Sequence, residues 1–510
     1  MNFASAPLSA ESLSPSRTLP TSTQSPEQKA VTTSGPRPVS LLGVPFDNLT
    51  ISGAVDRIDA MIASRKPHYV VTANVDFLTQ AHNDVELRRI LLDADLVLCD
   101  GTPLVWASRL LGNALPERVA GSDLAPQLIQ RAAEKGHRIF LLGAAEGVAA
   151  EAATKLKEQH PSLKIVGCYS PRFSALLDMD HEEIGRQVRA AAPDLLLVSF
   201  GCPKQEKWIA MHYRSLGVPV AIGVGATIDF MAGRVKRAPD WMRSSGTEWL
   251  YRLAQEPRRL YKRYTNDVFH FFPAFARQML HLSGKRELRN PPASQPCSLP
   301  GWRSYDMGVQ LTRRALERDP AIWQEIEQST HNTLLDLSKI RRIDATGIAF
   351  LARYAKLLHA SRRHLVLLAP SRAVLRAFAT LNLTDHFHLA ENQEQVEREA
   401  ATLNSQASVQ HDGTLRSLVW SGEIVASNAE TVWQTTVEHL QAFVTKETAL
   451  IAVDLSQLRF IDSSGAAIML RLKKWAKAQQ TELLFANPQP NVRNVLRLTR
   501  LDQLLLEGGQ

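Results

Sequence analysis

Six short apolar runs recur between Val39 and Phe272: HYVVTA (68–73), DLVLCD (95–100), RIFLLG (138–143), KIVGCY (164–169), DLLLVSFG (194–201) and VPVAIGVG (218–225). Strands that are apolar almost without interruption must be covered on both faces. The amphipathic segments between these runs supply the cover, so the pattern predicts a buried, mainly parallel sheet with helices on both sides. Ligands of such sheets gather beyond the carboxyl ends of the strands, which directs attention to the polar residues that follow each run.

The C-terminal half repeats itself. LLDLSKIRRIDATGIAFL (334–351) and IAVDLSQLRFIDSSGAAIML (451–470) align at a constant offset of 118 residues, which pairs Asp336 with Asp454, Asp344 with Asp462, Gly347 with Gly465 and Pro370 with Pro488. That period is too long for a solenoid and indicates a tandem domain duplication. Each copy reads strand, turn with helix start (DATG or DSSG), amphipathic helix, strand, helix. The acidic residue and hydroxyl at each helix start read first as N-caps.

At 510 residues the chain exceeds one core and predicts about three domains. Residues 1–38, rich in Ser, Thr and Pro, read as a disordered tail without a basic start or apolar h-region. The α/β domain is expected over 39–282, with a basic appendage at about 234–280. A linker at 283–301 and duplicated domains at 302–392 and 405–510 follow. No apolar run reaches the roughly 20 residues needed to span a bilayer. The four cysteines, Cys99, Cys168, Cys202 and Cys297, are too scattered for a disulfide framework or zinc knuckle and suit a reducing cytosol. A net charge of +8 is modest for this length and argues against a nucleic-acid-coating protein.

Much of that charge lies in one segment. Between Arg234 and Arg263, nine cations (Arg234, Lys236, Arg237, Arg243, Arg252, Arg258, Arg259, Lys262, Arg263) face three acids (Asp240, Glu248, Glu256), interleaved with Trp241, Trp249, Tyr251, Tyr261 and Tyr264. Guanidinium forks bind phosphate oxygens bidentately. Mixed with aromatics, they suit a surface where phosphates meet an apolar phase such as a lipid headgroup layer. The preceding glycine turn, Gly223 to Gly225, allows close backbone approach to a phosphate.

Other strand ends also carry chemistry. In FGCPKQEKWI (200–209), Gly201 and Pro203 open a helix with Lys204 and Gln205 at its mouth, either as an anion site on free N–H groups or as an ordinary strand-to-helix turn. VTANVDFL (71–78) places Thr72, Asn74 and Asp76 past a strand, more polar groups than an N-cap needs. Asp100 follows another strand and precedes Gly101, a position suited to a general base and equally to a turn. The tripeptides Asp93-Ala94-Asp95 and Asp178-Met179-Asp180 read as solvated turns rather than metal ligands.

Together, VTANVDFL, ADLVLCDGTPLV, LPERVAGSDL, FGCPKQEKWI, GVGATIDFMAG, KRAPDWM and EWLYRLAQEPRRLYKRY closely resemble the WecB/TagA/CpsF glycosyltransferases, family 26, from Val39 to about Tyr264. The resemblance implies a Rossmann-like domain that transfers a sugar, with inversion and no required metal or other cofactor. Donor and acceptor would be a UDP-sugar and a polyprenyl-diphosphate-linked saccharide, for cell-surface polysaccharide synthesis. It implies Asp100 as base and Thr72 as a second catalytic residue, lining the donor or acceptor pocket. Substrate contacts would come from Asn74, Arg118, Gly201, Gln205, Gly223, Gly225, Asp229, Lys236, Arg237, Arg252, Arg258 and Arg259. It further implies a cytoplasmic protein, peripheral on the anionic inner face of the cell membrane. Thr247 departs from the bulkier apolar residue common at its position.

The duplicated copies look like STAS domains, the fold of anti-sigma-factor antagonists, the first one degenerate. The resemblance makes Ser464, and Thr346 in the first copy, candidates for phosphorylation by a partner kinase or contact with a regulatory protein, with helix capping as the plainer alternative. Two functional readings follow: a transferase carrying regulatory or docking modules, and a catalytically idle sugar-nucleotide sensor signalling through them.

Overall fold

The computed structural model describes residues 37–235, 237–239, 241–242, 247–255, 257–282, 299–318, 320–361, 363–404, 408–411, 417–443 and 450–506. The N-terminal tail up to residue 36, Lys236 and residues 283–298 of the linker lie outside them.

The chain enters through an antiparallel hairpin, β1 (Val39–Leu41) and β2 (Val44–Phe46), that the strand pattern did not reveal. Its turn uses Gly43 at φ +91°, in the left-handed region that favours glycine. The central sheet comprises β3 (His68–Ala73), β4 (Leu96–Cys99), β5 (Arg138–Gly143), β6 (Lys164–Tyr169), β7 (Leu195–Ser199) and β8 (Val220–Gly223). Its order is β4-β3-β8-β7-β5-β6, and every pairing is parallel. Successive residues alternate between faces. Val70, Leu96, Leu98, Leu141, Leu197 and Ile222 pack under the helices Ile51–Ser64, Gly121–Lys135 and Val148–Gln159. Val71, Val97, Phe140, Leu196 and Val198 face Trp208, Phe271 and Phe275 on the other side.

β6 departs from the expected buried strand. It is one of the two edge strands, pairs with β5, and leaves Cys168 exposed. A side chain at Gly167 would come within 2.5 Å of the Phe140 ring, so glycine lets the neighbouring core residue close over the strand.

The appendage is two helices, Glu248–Gln255 and Pro257–Leu282. The longer packs on the helix Val75–Asn83, and Gln278 receives the Leu42 N–H at 2.8 Å while donating to the Ser40 carbonyl at 2.8 Å. Its inner face therefore belongs to the domain core.

Each duplicated copy forms a four-stranded sheet with helices. The first sheet is wholly parallel, in the order 388–390, 365–368, 332–336, 302–306. The second contains one antiparallel pair, Ser408–His411 with Ser417–Ile424, followed by parallel Leu450–Ile461 and Glu482–Ala486. The repeat is visible atom by atom. Asp336 and Asp454 each accept from the N–H two residues on, at 2.9 Å. Asp344 caps the helix Ala345–Ala360 through Thr346 and Gly347, and Asp462 caps Ser463–Ala478 through Ser464 and Gly465. No helix among the described residues is long and apolar enough to cross a membrane.

Of the two Asp-x-Asp tripeptides, one corrects the expectation of solvated turns. Asp95 is an ion-pair partner of Lys356 at 2.8 Å and accepts the Tyr69 N–H at 3.0 Å; against burial, which raises its proton affinity, His68 and Lys356 hold its carboxyl well below the usual carboxylate range. Asp180 caps the helix His181–Ala191.

Candidate active site

Asp100 is the first residue after β4. Its N–H donates to the Ala73 carbonyl of β3 at 2.9 Å, which fixes it at the open end of the sheet beside Asn74. The residue is partly buried. Burial raises its pKa, Arg252 and Arg118 nearby pull it down, and Glu248 and Asp123 push it up. A carboxylate with raised proton affinity in such a place can accept a proton from a hydroxyl.

Arg118 and Arg252 act on Asp100, and with Arg237 they form a cluster held by two carboxylates. Arg118 reaches Asp123 at 2.6 Å and Glu248 at 2.8 Å. Arg237 binds Asp123 at 2.7 Å and the Ser122 hydroxyl at 3.1 Å. Arg252 binds Glu248 at 3.0 Å. Arg252 and Arg237 also lie over the Phe230 ring, 5.4 and 5.9 Å from its centroid. Three cations against two anions leave one net positive charge, and Asp100 itself balances it. A diphosphate entering here meets guanidinium groups already held in place. Glu248, counted in the sequence as a mere dilution of the basic run, is the buried member that joins the appendage to the sheet. Asp123 was legible only as part of LPERVAGSDL.

The floor is built from the ends of β3, β7 and β8. The Thr72 hydroxyl donates to the Gly223 carbonyl at 3.4 Å, and Thr72 is buried. Asn74 caps the helix Val75–Asn83 by accepting from Phe77 N–H at 3.3 Å. Gln205 is also buried, and its side-chain oxygen receives the N–H groups of both Gly201 and Gly225 at 3.2 Å. The expected free N–H at Gly201 is therefore spent on Gln205, which ties the two glycine turns together. Gly223 is required by the same arrangement, since a Cβ there would stand 2.7 Å from the Gln205 amide nitrogen and 2.8 Å from Glu206. Gly201 and Gly225 have φ of +80° and +54°.

Beneath the turns lies a group of carboxylates of which the sequence reading singled out only Asp76. Glu206 Oε1 accepts from the Gln205 amide at 2.7 Å, while Oε2 is buried with no hydrogen-bond partner among the described residues. Burial, with Asp76 nearby, raises Glu206 to about 7. Asp76 pairs with Arg263 at 3.0 Å and Gln80 at 2.8 Å. Burial and Asp76 together raise Asp267 to about 7.

Other expected contacts lie apart. Asp229 has Arg234 as its charge partner and joins none of the ion pairs around Asp100 among the described residues. Arg258 is exposed on the long helix. Lys236 and the side chain of Arg259 lie outside the described residues. Among the described residues there is no group of three or more His, Cys, Asp or Glu arranged to hold a metal. Thr346 is buried and accepts a hydrogen bond from Asn113, whereas Ser464 is partly exposed.

A family model described as the glycosyl transferase WecG/TagA/CpsF family matches residues 39–285. A STAS-domain model matches 406–507, and one described as Mlab, STAS domain matches 313–391. The chain is similar to N-acetylglucosaminyldiphosphoundecaprenol N-acetyl-beta-D-mannosaminyltransferases. It is 35% identical to that of Bacillus spizizenii over 38% of this chain and 74% of the relative. For the Bacillus subtilis enzyme the identity is 33%, over 42% of this chain and 83% of the relative. For the Staphylococcus aureus (strain MW2) enzyme it is 29%, over 48% and 94%.

Proposed function

Because the chain belongs to the WecG/TagA/CpsF family of glycosyltransferases, we propose that it moves a sugar from a UDP-sugar to a polyprenyl-diphosphate-linked saccharide, with Asp100 as the base. Asp100 takes the proton of the acceptor hydroxyl as its oxygen attacks the anomeric carbon. The bond from that carbon to the diphosphate oxygen breaks, the configuration inverts, and UDP leaves. The negative charge gathering on the leaving diphosphate is met by Arg118, Arg237 and Arg252. One observation supports this reading: a partly buried carboxylate at the end of β4 shares its surroundings with arginines that Glu248 and Asp123 hold in place. The relatives' names give N-acetylmannosamine as the sugar and an N-acetylglucosaminyl diphosphoundecaprenol as the acceptor, which makes that pair the first to assay here.

A lipid-linked acceptor brings the site to a membrane surface. Tyr261, Phe269, Phe272 and Leu280 are exposed on the long helix together with Arg258 and Lys262, and Trp241 and Trp249 are exposed nearby. Aromatic and aliphatic side chains among cations suit an interfacial face on an anionic leaflet, in keeping with a peripheral protein on the cytoplasmic side. Partly exposed Ser464 is the hydroxyl open to a kinase or regulatory protein.

The test is UDP release from this donor and acceptor by the wild type and by Asp100→Asn. The variant is expected to lose about 100-fold or more in kcat while still binding UDP. An unchanged rate removes Asp100 as base. Tight UDP-sugar binding by the wild type with no turnover on any acceptor replaces the enzyme by a sensor.

A further inference from the structure

In both STAS copies the start of the capped helix is among the places that meet the transferase domain. In the second copy the Ser463 N–H donates to Glu86 Oε1 at 2.6 Å, and its hydroxyl donates to Glu86 Oε2 at 2.9 Å. Ser463 is fully buried and Glu86 nearly so. Glu86 Oε2 also faces Lys207 at 2.9 Å, and Lys207 pairs with Asp84 at 2.8 Å. In the first copy the Thr346 hydroxyl accepts from Asn113 Nδ2 at 3.0 Å, and Arg313, whose own N–H is held by Asp344, donates to the Gly112 carbonyl at 3.1 Å.

These contacts fall on the two segments that carry the polar groups of the site. Lys207 belongs to the helix Lys204–His212, whose Gln205 ties the Gly201 and Gly225 turns together. Asn113 lies on the connection that leads to Arg118. We infer that Ser463 is a positioning residue of the transferase, acting through Glu86 and Lys207 on the helix that sets the glycine turns. The inference rests on the donor-binding reading of those turns. Without the Ser463 hydroxyl, the buried Glu86 Oε2 keeps Lys207 as its partner and draws it closer, while Oε1 still accepts the Ser463 N–H. The first turn of the helix then shifts or loosens. A domain added after the transferase thus completes the support of its donor pocket. Coupling of this kind between packed segments is a matter of direct contact and measurable by double-mutant cycles.

The experiment uses the full-length protein with Ser463→Ala, Glu86→Gln and the double variant. Donor KM, kcat and hydrogen exchange of the 201–209 amides are measured for each. Each single variant is expected to raise donor KM about three- to tenfold with a smaller change in kcat, and to speed exchange over 201–209. The double variant is expected to be no worse than the more affected single, because both break one linkage. Ser463→Thr, which keeps the hydroxyl donor, restores KM toward wild type. Arg471→Ala, on an exposed ion pair with Glu430 elsewhere in the same copy, leaves KM and exchange unchanged. A natively folded Ser463→Ala protein with wild-type KM and wild-type exchange over 201–209 overturns the inference. Absence of turnover in the wild type instead sinks the transferase reading, and the exchange comparison then decides the positioning role alone.

Discussion

Replacing Glu206 by glutamine isolates the cost of burying one carboxylate beneath the glycine turns. Burial and the neighbouring Asp76 raise its pKa from the ordinary 4.5 to about 7. A carboxyl whose folded pKa lies above its unfolded one favours folding at low pH, and that support is lost as pH rises through the folded value. At about 1.4 kcal/mol per tenfold change in proton affinity, the difference amounts to roughly 3 kcal/mol. Glutamine has nearly the same shape, is neutral at every pH, and keeps an oxygen to accept from Gln205. Glu206→Gln should therefore match the wild type in stability near pH 4.5. Its advantage should grow between pH 4.5 and 7 and level off at roughly 3 kcal/mol above. In a domain of this size that is a rise of roughly 6–12 °C in the melting temperature of the transferase transition. Thermal melts of both proteins from pH 4.5 to 8.5 provide the measurement. A difference in melting temperature that stays flat across that range refutes the argument, because the burial of a charge is its sole pH-dependent element.

Glu248→Gln should release Arg118 and Arg252 from their shared carboxylate. The expected result is a several-fold rise in donor KM, with about 1–3 kcal/mol of lost stability, read by steady-state kinetics and melting. Phe269→Glu combined with Phe272→Glu should weaken sedimentation with anionic liposomes at least several-fold while leaving the melting temperature unchanged, since both rings are exposed. Equal sedimentation of the variant removes the membrane role of that face.

Much of this was readable locally. Asp100 is recognisable because a carboxylate directly after a buried strand must emerge at the sheet's open end. Asp344 and Asp462 are recognisable as caps because capping spans only two or three residues. The six strands stand out because a parallel sheet buried on both faces needs nearly unbroken apolar runs. The edge strand β6 defeated that reading: the other edge, β4, is covered by the N-terminal hairpin and β6 is not, and which edge is covered depends on distant packing that KIVGCY does not show. The hairpin at Val39–Phe46 was missed because its two strands are only three residues each.

Residue types and short spacings along the chain were enough to settle the helix starts, the duplication, the basic segment and the place of Asp100. Partnerships across long separations had to wait for the folded chain: Glu248 with Arg118, Gln205 between two glycine turns, Ser463 on Glu86 across 377 positions. The physical reason is that capping and strand burial depend on neighbours in sequence. The strength and direction of a buried charge's interactions depend instead on which distant groups the packing brings within hydrogen-bond reach.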